Sequence, residues 1–180
     1  MSLFEKAFAD LYGVEGDYSN DKSDSGGATR FGVTEAVARE HGYLGEMAEL
    51  PYSKARAIYR ASYWDALNLD DVAALSGPVA LELFDTGVNC GTNTAGVFLQ
   101  RSLNVFNRLQ ADYKDVLVTG VVGSLTLDAL RGFLNRRAPT GEKVLLRALN
   151  SLQGARYIKL AETREKDEKF TYGWFLQRVA

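Results

Sequence analysis

The sequence predicts a predominantly helical α+β chain with one small β-hairpin near its N-terminus. Three observations carry that prediction. Apolar residues recur at three- and four-residue spacing over most of the chain. Cap and breaker residues stand where those periodic segments start and stop. The segment that departs from helical spacing is the polar, glycine-bearing stretch 14–34, which ends in Ala28-Thr29-Arg30-Phe31-Gly32-Val33-Thr34.

The elements follow in order. Phe4, Phe8, Leu11 and Tyr12 form one apolar stripe, and Gly13 closes that helix. The polar loop then turns at Ser25-Gly26-Gly27 into the strand-like run 28–34. Thr34 is an N-cap for a helix over 35–41, ended by Gly42. Ser53 opens a helix carrying Ile58, Tyr59 and Trp64. Pro78 suits the first turn of a helix with Val79, Leu83, Phe84 and Val88, because a helix's first N–H groups have no intrahelical partner to lose. Thr92 opens the next, through Leu99, Leu103 and Phe106. The apolar run Val116-Leu117-Val118 ends in a glycine-flanked turn, and helices are expected over 125–136, 141–166 and 172–179.

Composition narrows the function. The chain has 180 residues, 46% hydrophobic and 24% charged, which suits a folded domain rather than disorder. No apolar run approaches the length of a membrane span, so stable membrane insertion is not expected. The N-terminal Met1-Ser2-Leu3-Phe4-Glu5-Lys6 lacks the pattern of a signal peptide. Cys90 is the only cysteine, which forbids an internal disulfide and fits folding in a reducing compartment. Residues 1–100 carry 7 basic and 15 acidic side chains, whereas 101–180 carry 14 and 8. The basic half is either a face for a polar partner or a set of solvated helix surfaces. It holds no dense Lys/Arg cluster interleaved with aromatics, so no nucleic-acid partner is expected.

The chemistry concentrates in the polar stretch. Glu15 follows the first helix, near the negative end of its macrodipole, with Val14 and Tyr18 available to desolvate it. Both effects raise a carboxyl pKa toward the range of a general acid. The residues alone leave a second reading, a surface glutamate in a turn. Asp17, Ser19, Asp21 and Asp24 invite a calcium reading, but Lys22 sits where an EF-hand loop needs glycine and no glutamate follows at the twelfth position. His41 is the only histidine, so a His-based triad or a multi-histidine zinc site is excluded. No metal or other cofactor is expected. Asp85 and Asn89 lie one helical turn apart and can face a polar ligand or cap and bond within the core. Tyr63 and Trp64 are candidate ligand-stacking rings, and Trp174 reads as core.

The run Glu15-Gly16-Asp17-Tyr18-Ser19-Asn20-Asp21, continued by Asp24, Gly26-Gly27, Thr29 and Phe31-Gly32-Val33-Thr34, resembles the signature of glycoside hydrolase family 108. The similarity continues in Tyr63-Trp64, in Phe84-Asp85 with Val88-Asn89 and Gly91, and in Gly173-Trp174 with Arg178. From Gly96 onward the chain is similar to the family's companion peptidoglycan-binding module. It departs from the usual pattern at Asp17, where a second glycine is common, and at Thr119-Gly120 and Ser124, which replace Asp-Gly and proline.

The resemblance implies a lysozyme-like fold and an N-acetylmuramidase. Residues 1–91 would form the catalytic half and 92–180 a helical wall-binding half, packed into one unit. Glu15 would be the proton donor. Asp24, or in competition Asp21, would handle the water side together with Thr29, at spacings similar to those of phage-type lysozymes. Asp85, Asn89, Tyr63 and Trp64 would bind substrate. The expected partner is bacterial peptidoglycan, met by a monomer made in the host cytoplasm and released to the wall by a membrane-pore protein, as in a phage endolysin. A lytic transglycosylase and a non-catalytic wall-binding module are the rival readings.

Overall fold

Thr34 does what its sequence position suggests. Its hydroxyl accepts the Val37 N–H at 3.4 Å and starts a short helix, while Gly42, at a φ of +75°, follows the helix end. Ser76 does the same further on, accepting from the Val79 N–H at 3.2 Å with Pro78 in the first turn. The structure, a computed structural model, describes residues 1–12, 18–19 and 28–179. These divide into two compact units, residues 1–65 and 66–180.

In the first unit, α1 (Leu3–Tyr12) precedes three short strands, β1 (Tyr18–Ser19), β2 (Thr29–Arg30) and β3 (Val33–Thr34). The strands form an antiparallel sheet in sequence order, with Ser19 opposite Thr29 and Thr29 opposite Thr34. Helix α2 (Glu35–Glu40) and α3 (Tyr52–Tyr59) follow. The single strand expected over 28–34 is instead two strands around a tight turn. Phe31 and Gly32 both adopt positive φ, +50° and +68°, as a two-residue hairpin turn of the mirror-image type requires. A phenylalanine pays strain there. Its ring is 3% exposed and meets Tyr52 edge-on at 5.6 Å, so burial holds the conformation. The same aromatic core joins Phe4, Phe8 and Tyr59, with Phe8 about equally close to Tyr52 and Tyr59 at 5.1 and 5.2 Å. The chain leaves α3 through a π-helical turn, Arg60–Trp64.

The second unit is helical. It contains α4 (Leu69–Leu75), α5 (Gly77–Cys90), α6 (Thr92–Phe106), α7 (Ser124–Arg136), α8 (Gly141–Thr163) and α9 (Glu168–Arg178). Helix α4 was not foreseen. Leu83, Leu99, Leu103, Leu130 and Leu145 are among its fully buried side chains. Three bonds join α5 and its cap to α8: Ser76 Oγ to Glu142 at 2.7 Å, Asn150 to Glu82 at 3.2 Å, and Gln153 to Asp85 at 2.8 Å. The partners climb together in number, so the two helices run parallel.

Segment 116–123 has no regular structure, yet side chains bond much of its backbone. Asn104 brackets Val116, accepting its N–H at 2.9 Å and donating to its carbonyl at 2.8 Å. Gln100 accepts from the N–H groups of Thr119 and Gly120 at 2.9 and 2.8 Å and donates to Val121 O at 2.9 Å. Asn93 donates to Thr119 O at 3.0 Å. Three side-chain amides on one face of α6 thus replace a neighbouring strand. Gly96 lets this segment approach, since a Cβ there would lie 1.9 Å from Gly120 O.

Candidate functional site

Glu15 and Asp24 lie outside the described residues, as do Asp17 and Asp21. Among the expected catalytic residues Thr29 is described. Cross-strand neighbours share a sheet face, so Thr29 stands between Ser19 and Thr34 on a hydroxyl-bearing face. The opposite face carries Val33, which is 2% exposed and anchors the sheet in the core. The pairing of β1 with β2 brackets the polar loop between them.

Tyr63 and Trp64 sit on the π-helical turn. The Trp64 ring is 1% exposed and packs edge-on against Phe4 at 5.3 Å, with the Arg60 guanidinium 5.9 Å from its centre. It offers no open face to a sugar and serves the core. Tyr63 is half-buried beside Tyr59 at 5.2 Å, and burial raises its phenol pKa. A groove of about 350 Å³ runs past Phe4, Ala57, Arg60 and Ala61 in the same unit. Its charges are paired, Glu5 with Arg56 and Asp65 with Arg60.

Asp85 and Asn89 belong to the second unit, on α5. Asn89 donates to the Asp85 carbonyl at 2.7 Å and to its carboxylate at 3.1 Å. The Asp85 carboxylate also receives Gln153 and an ion pair from Arg178 on α9. Asp85 therefore ties three helices together. Gln153 is fully buried, and its Oε1 has no hydrogen-bond partner among the described residues.

Sequence reasoning missed Glu82, one turn before Asp85. Its carboxylate accepts from Asn150 at 3.2 Å and from Thr86 at 3.5 Å, both neutral donors. Burial pushes its pKa up to about 7, with the nearby Asp85 charge adding to the rise. The available signal was two acids at i and i+3 on one helix face. Among the described residues no group of three or more His, Cys, Asp or Glu side chains is placed to hold a metal ion, and no helix is long and apolar enough to cross a membrane.

Comparison with known proteins gives these residues a context. Residues 8–91 match the family model of glycosyl hydrolase 108, and residues 94–179 match that of a predicted peptidoglycan domain. A solved structure of Brucella abortus SagA is similar, with 26% sequence identity, a TM-score of 0.66, and coverage of 95% of this chain and 86% of that one. No curated protein matches. The fold is the lysozyme-like α+β class that the sequence predicted, mostly helical with a small N-terminal sheet.

Proposed function

Because residues 8–91 belong to the glycosyl hydrolase 108 family and residues 94–179 to a predicted peptidoglycan domain, the chain is a peptidoglycan hydrolase, and we propose that it cleaves the β-1,4 bond between N-acetylmuramic acid and N-acetylglucosamine. The observation that carries this reading is the first family match, which spans Glu15, Asp24 and Thr29. The pairing of β1 with β2 supports it, because it sets the Thr29 hydroxyl on a polar sheet face at the base of the loop that carries Asp24.

In this mechanism the Glu15 carboxyl gives its proton to the glycosidic oxygen as the C1–O bond breaks. A water attacks C1 from the opposite face and loses its proton to Asp24, while the Thr29 hydroxyl orients that water. Both protons are accounted for, and the configuration at C1 inverts. Inversion asks for a gap between the two carboxyl groups of roughly 6.5–9.5 Å, room for the water. Tyr63 in the first unit, and Asp85 and Asn89 in the second, are assigned to substrate binding, while the buried Trp64 ring packs on Phe4. We assign the protein a lysis role of the phage endolysin type, acting as a monomer that reaches the wall through a membrane-pore protein.

Glu15→Gln tests the assignment. The amide cannot deliver a proton, so hydrolysis of purified sacculi should fall by about a hundredfold or more. Circular dichroism and the melting temperature should stay at wild-type values. Asp24→Asn should lose less, because water can still attack without a perfectly placed base. Glu15→Gln activity within a few-fold of wild type, in a folded protein, overturns the assignment. An inactive Asp21→Asn beside a normal Asp24→Asn moves the second role to Asp21.

A further inference from the structure

An open groove of about 580 Å³ runs between α5 and α8, lined by Pro78, Leu81, Leu146 and charged side chains of both signs. It joins an end of the glycosyl hydrolase match to the peptidoglycan match, since α5 belongs to the first and α8 to the second. Glu82 and Asp85 lie toward one end, and Lys143 and Arg147, with Glu142 beside them, toward the other. Lys143 and Arg147 are exposed on α8 and make no ion pair among the described residues. Further along the parallel helices lie Glu82 and Asp85. The rise of a helix puts about 10 Å between the level of Lys143 and that of Asn150, which bonds Glu82, and about 5 Å between Arg147 and Asn150.

The two acids differ. Asp85 is neutralised by Arg178, whereas among the described residues Glu82 meets the neutral donors Asn150 and Thr86 and no cation. A half-buried carboxylate without a cation costs stability, as its raised pKa of about 7 records. Such a group is retained where a ligand cation completes it. Glu142, beside Lys143, accepts the Ser76 hydroxyl at 2.7 Å, and its carboxylate leaves that end with two cations against one anion. None of the lining side chains is aromatic, so the groove lacks the flat apolar platforms that suit sugar rings. Apolar walls with an anion at one end and cations at the other suit a short zwitterionic peptide. Two to three extended residues span about 10 Å.

We infer that the α5–α8 groove binds the peptide stem of peptidoglycan, with a side-chain ammonium of the stem on Glu82 and a stem carboxylate on Lys143 and Arg147. The inference rests on the peptidoglycan reading and names which part of that polymer the second unit holds. The catalytic residues act on the sugar backbone, and the groove reads the peptide attached to it.

The test uses the full chain and a sugar-free probe, the synthetic tripeptide L-Ala-γ-D-Glu-L-Lys, titrated by NMR and calorimetry. Saturable binding should shift the amides of α5 and α8. Glu82→Gln should weaken binding about tenfold or more, the loss of one charge-assisted hydrogen bond. Acetylating the probe's lysine should weaken it by a similar factor. Lys143→Glu and Arg147→Glu change exposed side chains, so they leave the fold intact while also weakening binding. Absence of binding at millimolar probe overturns the inference. So do equal affinities for Glu82→Gln and wild type, shifts that map elsewhere, or displacement of the probe by peptide-free glycan strands. Wild-type cleavage of peptide-free glycan strands is scored separately, so a failed hydrolase reading is distinguishable from a failed groove.

Discussion

At the scale of single residues, Glu82 is the most informative side chain described. Its pKa is raised from the usual carboxyl range to about 7, first by burial and then by Asp85. Between pH 4.5 and 7 the folded protein holds a proton that the unfolded chain releases. Stability therefore falls as pH rises through that window and levels off above it, by roughly 3 kcal/mol in total. Glu82→Gln keeps the acceptor for Asn150 and removes the charge. It should unfold at higher urea than wild type at pH 8, match it near pH 4, and lose this part of the pH slope. An unchanged slope would show that the Glu82 carboxylate is well solvated. Asp112 behaves oppositely. The hydrogen bond from Arg108, with help from Arg136 and Arg137, holds its carboxyl below the usual range. Its contribution is present above the ordinary carboxyl pKa and is lost as pH falls through the folded value.

At the scale of elements, much of the helix order was legible because caps and breakers act locally. Thr34, Pro78 and the stripe of Leu99, Leu103 and Phe106 each depend on neighbours within a turn. What was not legible depends on distant partners. The Phe31-Gly32 turn defies local preference, since a buried ring keeps a phenylalanine in the left-handed region. Arg108, Leu109 and Gln110 are likewise left-handed in succession, at φ of 54°, 59° and 64°. The Arg108 ion pair to Asp112 and the Asn107 side chain, which accepts the Gln110 N–H at 3.0 Å, hold that turn closed. Segment 116–123 read only as a short apolar run ending in a turn, and its partners are the side-chain amides of α6. Gln100→Ala tests that account. The N–H groups of Thr119 and Gly120 would lose their partner inside the protein, while Val121 O keeps the Gly123 N–H, at a cost of about 2–4 kcal/mol read from denaturant unfolding. A loss below about 0.5 kcal/mol would mean that water satisfies the segment instead.

At the scale of the whole molecule, the two units hold different features. Residues 1–65 hold Thr29 on its hydroxyl face, the aromatic core beneath the sheet and the π-helical turn. Residues 66–180 hold the α5–α8 groove and the clamp that Asp85 makes to α8 and α9. The polar stretch suggested acid–base residues in the sequence because glycoside hydrolysis needs carboxyls, and the roles of Glu15 and Asp24 there are a proposal. The groove was hidden, because its charges come from helices about sixty residues apart. The proposed mechanism moves protons between carboxyls and water alone. Hydrolysis of sacculi should therefore proceed at an undiminished rate in excess chelator, and activity lost there but restored by calcium or zinc would place a metal in the reaction.

The central claim is hydrolysis of the bond following N-acetylmuramic acid. Mass spectrometry of the fragments released from purified peptidoglycan, after borohydride reduction, reads it directly. The account predicts fragments ending in reducible N-acetylmuramic acid, converted to the muramitol form and absent with Glu15→Gln. Fragments ending in 1,6-anhydro-muramic acid would make the protein a lytic transglycosylase, reducible N-acetylglucosamine ends would place the cut at the other bond, and intact sacculi carrying bound protein would leave a wall-binding module.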